Sequence, residues 1–195
     1  MIDYDKILVF DDIIDKQHQN KIKDLLFGKT FSWFYCDDIS KENNEVQRRP
    51  GFGHYFLNDK KVNSEFHNEV NPIIAEALKK ANIKHTNNFQ GLQGRSFFQL
   101  PLNIPDRHIV DTPHIDTDIP HLAILYYVND SDGDTIIYEN IFEGYDKIPH
   151  KKDLVIKQKI SPKMGRVVVF NGKYWHTSEQ PTYNERCIIN YNVIW

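Results

Sequence analysis

The spacing of apolar residues divides the chain into a first half with helical patterns and a second half with strand patterns. Apolar positions recur at helical spacing over 15–27, and Gly28 follows as the stop signal of a helix. A second helical pattern covers 63–81. Pro72 interrupts it, which predicts that a new helix starts there with Asn71 as its cap. We expect both helical regions to support one outer face of a sheet.

Two short apolar runs in the first half, at 6–10 and 30–35, predict strands. The polar segment 37–50 comes next and has no periodicity. Two interpretations of this segment remain open: a lid that closes over a substrate, or a plain solvated loop.

From residue 88 onward, short β-type runs are separated by Gly, Pro, Asn and Asp. Many short strands with turn residues between them are typical of a sandwich or a barrel. Because the helices come first and the strands afterwards, we predict a mainly β fold, a jelly-roll core backed by N-terminal helices. The predicted strands of this half are 97–100, 122–128, 135–138, 154–160, 166–170 and 187–195.

The composition narrows the class of protein. A chain of 195 residues, with 40% hydrophobic and 26% charged residues, is typical of one globular domain. The formal net charge of −3 gives no general attraction to nucleic acid or to an anionic membrane. The sequence shows neither a membrane-spanning apolar run nor the pattern of a signal peptide. The two cysteines, Cys36 and Cys187, lie far apart, which favours a reducing cytosol over a disulfide framework. We therefore expect a soluble cytoplasmic enzyme that uses no membrane.

The candidate chemistry starts with a His-x-Asp pair, His114 and Asp116, shortly before the apolar run at 122–128. Residues two apart in a strand project to the same face. An imidazole and a carboxylate would therefore point together at a metal that needs a third ligand. The alternative interpretation is two polar surface residues beside Pro113.

The predicted third ligand is His176, which follows a strand and the tight-turn pair Asn171-Gly172. The competing histidines are His121, close behind the His-x-Asp pair, and His108. We prefer His176 because an arginine follows it at a fitting distance. Neutral imidazole and ionised carboxylate are suitable ligands for Fe(II).

That arginine, Arg186, opens the last predicted strand, and no Lys or Arg follows it. The rest of the strand is apolar or amide, so an inward Arg186 is a simpler interpretation than a surface one. Alternation places Arg186, Ile188, Asn190 and Asn192 on one face of the strand. We predict that Asn190 and Asn192, together with Gln99, contact the substrate.

The order His-x-Asp, distant His and Arg resembles the Fe(II)/2-oxoglutarate-dependent oxygenase superfamily, and within it the prolyl-hydroxylase-like branch. The resemblance covers roughly 97–195. It implies a double-stranded β-helix of the cupin type, in which Fe(II) is held by the catalytic residues His114, Asp116 and His176. It also implies 2-oxoglutarate as cosubstrate, with its distal carboxylate bound by Arg186. Dioxygen and the reductant ascorbate complete the expected set.

The same resemblance gives roles to Tyr127 and Thr135. Tyr127 starts a Tyr-Val-Asn-Asp run that matches the family's Tyr-Leu-Asn-Asp, and its phenol would support the distal carboxylate. The alternative is an aromatic core residue. Gly133-Asp134-Thr135 is similar to the family's Gly-Gly-Glu-Thr, whose Thr lies in the same pocket. The single Gly and the Asp depart from that pattern, which weakens the assignment of Thr135.

The implied reaction is hydroxylation of a C–H bond, with succinate and carbon dioxide as co-products. The substrate would be a peptide, modified at a prolyl or other amino-acid residue, or a free small metabolite. Nucleic acid is disfavoured because the dealkylating branch carries a second Arg that this sequence lacks. The single oxygenase domain would have helical support and lid elements roughly over 1–95 and the catalytic core roughly over 96–195. Two other classes stay open: a cupin-like Zn or Mn protein with isomerase or lyase activity, and a jelly-roll binding protein without catalysis. The oligomeric state cannot be read from the sequence.

Overall fold

The computed structural model of the chain describes residues 5–39, 49–83, 89–103 and 110–194. Two α-helices lie in the first half of the chain, α1 (Lys16–Leu26) and α2 (His67–Lys80). Asp15 begins α1 by accepting a hydrogen bond of 2.8 Å from the backbone N–H of His18. Neither of these described helices has the length and apolar character needed to cross a membrane.

Helix α2 continues through Pro72, so the predicted restart with Asn71 as cap is wrong. An interior proline costs roughly 3 kcal/mol, because it removes one backbone hydrogen bond and crowds the preceding turn. The helix nevertheless keeps one buried face on both sides of the proline. Each large aliphatic side chain on that face contributes about 1.5–3 kcal/mol when it is buried, which outweighs the proline. The face consists of Val70, Ile73, Ile74, Ala77 and Leu78.

Eleven strands are described, and every pairing between them is antiparallel. The strands are β1 (Leu8–Phe10), β2 (Phe34–Cys36), β3 (Gly51–Asn58), β4 (Lys61–Val62), β5 (Gln90–Gln99), β6 (Leu122–Tyr127), β7 (Thr135–Ile141), β8 (Ile156–Ile160), β9 (Val167–Asn171), β10 (Tyr174–Ser178) and β11 (Arg186–Ile194). The larger sheet has the order β1-β9-β6-β11-β5-β3-β2, with β4 paired to β3. The smaller sheet has the order β10-β7-β8.

Each strand predicted in the second half is present, with shifted ends. Strand β5 begins at Gln90 rather than at residue 97, because it is paired on both sides, by β3 and by β11. Strand β2 begins at Phe34 rather than at residue 30. The Trp33 indole before it donates to the Leu26 carbonyl at 2.9 Å and packs against the core instead. Strands β3, β4 and β10 were not predicted.

The larger sheet has the helices on one face and the smaller sheet on the other. Strand β11 alternates as predicted: Cys187, Ile189, Tyr191 and Val193 pack in the same core cluster as the helices. On the opposite face, Ile188 belongs to the cluster between the two sheets. The other buried members of that cluster are Ala123, Leu125, Tyr127, Ile137, Ile160, Val168, Phe170 and Tyr174.

Candidate active site

The three candidate metal ligands meet between the sheets. Each of His114, Asp116 and His176 offers one ligand atom, and these atoms lie within 4.8 Å of one another. The Nε2 atoms of His114 and His176 lie 4.0 and 3.9 Å from the Asp116 carboxylate oxygens. Two reciprocal backbone hydrogen bonds between His114 and His176, of 2.9 and 3.0 Å, hold the imidazoles side by side. The two histidines are about 60 residues apart in the sequence, and they meet because the segment 110–114 pairs with β10 at the edge of the smaller sheet, through bridges at His114–His176 and Val110–Glu179.

Backbone carbonyls orient both imidazoles. The Nδ1 atom of His114 lies 3.1 Å from the Thr112 carbonyl, and that of His176 lies 2.9 Å from the Tyr174 carbonyl. A carbonyl only accepts, so Nδ1 carries the hydrogen in each ring and Nε2 keeps its lone pair. Such support from behind is the usual way in which a protein orients metal-binding histidines.

Asp116 is held ionised at the centre of the group. Its side chain is 1% exposed; it is paired with Arg95 and accepts a 2.9 Å hydrogen bond from Asn190 Nδ2. Burial by itself would raise the pKa of this carboxyl, but the charges of Arg95, His176 and His114 and the Asn190 hydrogen bond lower it below its usual value. Two imidazoles, which are neutral when they bind a metal, and one carboxylate form the donor set that suits Fe(II) with open positions opposite.

Arg186, the first residue of β11, is a buried cation in the same cavity. Its side chain donates three hydrogen bonds of 2.8 Å, to the Gly133 carbonyl, to Gln99 Oε1 and to Thr135 Oγ1. All three acceptors are neutral, and no carboxylate among the described residues forms an ion pair with Arg186. Burial lowers the pKa of the guanidinium, which nonetheless stays protonated. The three hydrogen bonds use one N–H on each nitrogen, which leaves two of the five N–H groups, one on each Nη atom, to donate to an anion.

Tyr127 and Thr135 lie beside this arginine. The Tyr127 hydroxyl donates to Thr135 Oγ1 at 2.7 Å, and Arg186 donates to the same oxygen. Because both lone pairs of the Thr135 hydroxyl are then used, its own hydrogen is left to donate to a further acceptor. The Tyr127 ring is fully buried between the sheets, and burial raises the pKa of its phenol.

One cavity of about 90 Å³ connects the three candidate ligands with Arg186 and Thr135. Its remaining wall is mostly apolar and includes Phe97, Leu125, Phe170 and Ile188. Of the three predicted substrate contacts, Gln99 and Asn190 line the cavity. Asn192 is 1% exposed, and its amide has no hydrogen-bond partner among the described residues. Of the predicted 37–50 loop, Ile39 lines the cavity, and 40–48 lie outside the described residues.

The competing histidines do not join the group within the described part of the chain. His121 is fully buried, with Nδ1 at 2.7 Å from the Ile119 carbonyl, and it packs against Gly172. His108 lies outside the described residues. Sequence reasoning missed Arg95, which pairs with Asp116. Even spacing from Gln99 would have placed it on the inner face, had β5 been predicted at its full length.

No protein-family model matches the chain, and no curated protein matches it in sequence. Solved structures do match it. One is an oxidoreductase of the 2-oxoglutarate-Fe(II) oxygenase family from Burkholderia pseudomallei, with a TM-score of 0.66 and 12% identity over 96% of this chain and 84% of that one. A second is the viral collagen prolyl hydroxylase of Paramecium Bursaria Chlorella virus-1, with a TM-score of 0.59 and 13% identity over 99% and 97%. The chain has the fold of the 2-oxoglutarate-Fe(II) oxygenases.

The 2-oxoglutarate oxygenase fold serves more than one reaction. A non-haem α-ketoglutarate-dependent epimerase from nogalamycin biosynthesis matches with a TM-score of 0.66 and 12% identity, over 98% of this chain and 79% of that one. The mainly β architecture described above, with antiparallel sheets and two helices, is consistent with the jelly roll of these enzymes. At such identities the likeness concerns the fold, and the chemistry has to be argued from the site.

Proposed function

We propose that this protein is an Fe(II)- and 2-oxoglutarate-dependent dioxygenase that hydroxylates a C–H bond of its substrate. The observation that carries the proposal is the content of a single cavity. It is lined by His114, Asp116 and His176, whose ligand atoms lie within 4.8 Å of one another, and by Arg186, a buried cation whose hydrogen-bond acceptors in the described part of the chain are all neutral. A metal site and a carboxylate site in one cavity match the two ends of 2-oxoglutarate.

In this proposal, His114, Asp116 and His176 are the metal ligands and the catalytic residues. Fe(II) held by these residues would supply the oxidation together with 2-oxoglutarate and dioxygen: R–H, 2-oxoglutarate and O2 would give R–OH, succinate and CO2. Ascorbate would take no part in this balanced reaction and would serve to keep the iron ferrous. Neighbouring side chains hold the metal-binding residues in the orientation that metal binding requires. Arg95 and Asn190 hold the Asp116 carboxylate in place, so the site needs little rearrangement when it binds metal.

Arg186 binds the distal carboxylate of the cosubstrate through its two remaining N–H groups. Thr135 donates its hydroxyl hydrogen to the same carboxylate, and Tyr127 holds Thr135 in that orientation. Apolar side chains such as Leu125 and Ile188 exclude water from the space between carboxylate and metal, which strengthens both charge interactions.

The wider assignment follows the same lines. Residues 1–195 would form one oxygenase domain, with a double-stranded β-helix core and the two helices supporting it. The substrate would be a peptide, modified at a prolyl or other residue, or a free small metabolite. Both cysteines are free thiols, in keeping with the proposed cytoplasmic location.

The test is the conversion of 2-oxoglutarate to succinate by purified protein with Fe(II) and ascorbate. Wild type should form succinate slowly without a substrate, and His176→Ala and Arg186→Ala should abolish the reaction. The matched controls are His150→Ala, an exposed histidine, and Arg166→Ala, an arginine paired with Asp11 on the surface. Both controls should keep wild-type turnover.

Other results would favour other classes. Metal binding without any effect of 2-oxoglutarate would favour a cupin-like isomerase or lyase, and absence of metal binding a jelly-roll binding protein. If succinate forms, a screen of peptides and metabolites for a product heavier by one oxygen identifies the substrate. Turnover that leaves the substrate without added oxygen would instead indicate an outcome such as epimerisation.

A further inference from the structure

Gln99 connects Arg186 to a second buried ion pair. It lies on β5 directly across from Arg186 on β11, and it is 3% exposed. Its Oε1 accepts from Arg186 Nη1 at 2.8 Å, and its Nε2 donates to Asp111 Oδ2 at 3.4 Å. An ionised carboxylate can only accept, so Asp111 fixes which end of the Gln99 amide faces the guanidinium.

Asp111 is itself held firmly and is paired with a different cation. Its carboxylate forms an ion pair with Arg49, and the two side chains are 5% and 2% exposed. Ser178 Oγ donates to Asp111 Oδ2 at 2.9 Å, and Thr177 Oγ1 donates to the Asp111 backbone carbonyl at 2.8 Å. The negative charge of Asp111 is therefore balanced by Arg49, and a neutral amide separates it from Arg186.

We propose that Gln99, oriented by the Arg49–Asp111 pair, is a positioning residue that determines the preference of the cavity for a dicarboxylic cosubstrate. It aligns the Arg186 guanidinium with a neutral acceptor and keeps the charge of Asp111 away from it. A carboxylate at the Gln99 position would neutralise Arg186 internally, because charge-assisted hydrogen bonds are the stronger ones at this distance. This inference rests on the proposed function.

Two substitutions at Gln99 distinguish the effect of an added negative charge from the effect of a lost hydrogen-bond acceptor. Gln99→Glu keeps an acceptor for Arg186 but makes it anionic, whereas Gln99→Met removes the acceptor and adds no charge. Gln99→Glu also replaces the Nε2–H that Asp111 accepts by an oxygen, so a merely structural role of Gln99 predicts a loss of affinity for every ligand of the cavity. The proposed role predicts a loss of the preference for a dicarboxylate alone, larger in Gln99→Glu than in Gln99→Met. Gln17→Glu, the same change at an exposed position of α1, is the control for one added charge.

The experiment measures the affinity of the metal-loaded protein for two ligands under anaerobic conditions, by calorimetry. The ligands are 2-oxoglutarate and 2-oxopentanoate, which has the same carbon chain without the distal carboxylate. Gln99→Glu should lower the preference for 2-oxoglutarate by about 10- to 100-fold, the size of one lost charge-assisted hydrogen bond. Gln99→Met should lower it by less than about tenfold, and Gln17→Glu should leave it unchanged. Affinity for 2-oxopentanoate should stay nearly constant in all variants.

The outcomes are distinct. A wild-type protein that binds both ligands equally, or neither, overturns the proposed function and this inference with it. A wild-type preference that survives in Gln99→Glu overturns the inference alone, as does a larger loss in Gln99→Met than in Gln99→Glu. If Gln99→Glu fails to fold, Gln99→Met decides: an unchanged preference overturns the inference, and a several-fold loss with constant 2-oxopentanoate affinity supports it.

Discussion

Two alanine substitutions at the candidate metal site should have very different effects on stability. His114→Ala and Asp116→Ala each remove one proposed ligand, so both should abolish metal binding. Without metal, their surroundings differ. The His114 side chain is 30% exposed, whereas that of Asp116 is 1% exposed and pairs with Arg95, which is itself 8% exposed. Asp116→Ala therefore leaves a buried guanidinium without its carboxylate.

The expected magnitudes follow from these environments. Removal of one partner of a buried ion pair costs about 3–5 kcal/mol, because the remaining charge stays desolvated. Loss of the His114 hydrogen bond to the Thr112 carbonyl costs about 1 kcal/mol. For a chain of this size, about 2–4 °C in Tm accompanies each kcal/mol. Asp116→Ala should thus lower Tm by roughly 6–20 °C and His114→Ala by roughly 2–4 °C.

The assay is thermal unfolding, which gives Tm, together with urea unfolding, which gives the free energy, both monitored by circular dichroism at pH 7 after removal of metal with a chelator. The decisive comparison is between Asp116→Ala and the double variant Asp116→Ala/Arg95→Met, because Arg95→Met removes the guanidinium that has lost its ion-pair partner. The double variant should be more stable than Asp116→Ala alone, with a coupling energy of about 0.5–3 kcal/mol. If Asp116→Ala and His114→Ala lost equal stability, or if Arg95→Met recovered none, the account of Asp116 as half of a buried ion pair would be wrong.

Three further measurements test other parts of the structure. Hydrogen bonds from Arg166 and Lys163 lower the pKa of Asp11 to about 2. The stability contributed by this partly exposed carboxylate, below about 1 kcal/mol, should be present above pH ~4 and lost as the pH falls to ~2. Unfolding curves of wild type and Asp11→Asn should converge over that range. Burial raises the pKa of Cys187 to about 12, so a thiol reagent at pH 8 should label Cys36 alone in the native protein and both cysteines in urea. Gly172→Ala places a Cβ 2.0 Å from the His121 ring and should cost about 1–3 kcal/mol, whereas Gly53→Ala, with its nearest atom at 3.4 Å, should cost less in the same unfolding assay.

Local pattern was enough to predict most strands of the second half, and the reason is visible in β11. Its apolar and amide residues alternate, so a period of two assigns Ile189 to the helix side and Ile188 to the cavity side without further information. Strand β3 lacks this signal, because its buried residues do not alternate and include Gly51, Gly53 and His54. The sequence pattern also could not predict that α2 continues through Pro72, because the continuation depends on the burial of the apolar face of the helix against the rest of the protein.

In the candidate site, too, the sequence pattern identified some residues and missed the contacts that depend on tertiary structure. The motif order brought out His114, Asp116, His176 and Arg186, whose side chains do line one cavity. Among the groups that hold them, Arg95 was not found, and Asn190 and Gln99 were assigned to the substrate instead, because these contacts come from pairings between distant segments. Arg95 reaches Asp116 only through the register of β5 with β11. A single sequence contains no local trace of such a pairing.

The two cavity arginines differ in a way that limits what can bind between them. Arg95 is already paired with a carboxylate, whereas Arg186 contacts neutral acceptors and, among the residues that the structure describes, no carboxylate; the free energy of an ion pair at Arg186 is therefore left for a ligand. In the register of β5 with β11, Gln99 faces Arg186 and Arg95 faces Asn190. The pair Gln99–Arg186 and the pair Arg95–Asn190 lie four residues apart along the strands, which is about 13 Å at roughly 3.3 Å per residue. The Arg186 side chain and the inward-pointing metal ligands occupy part of that length. A ligand that bridges Arg186 and a metal held by His114, Asp116 and His176 would therefore have to be short and anionic at its far end, as the proposed cosubstrate 2-oxoglutarate is.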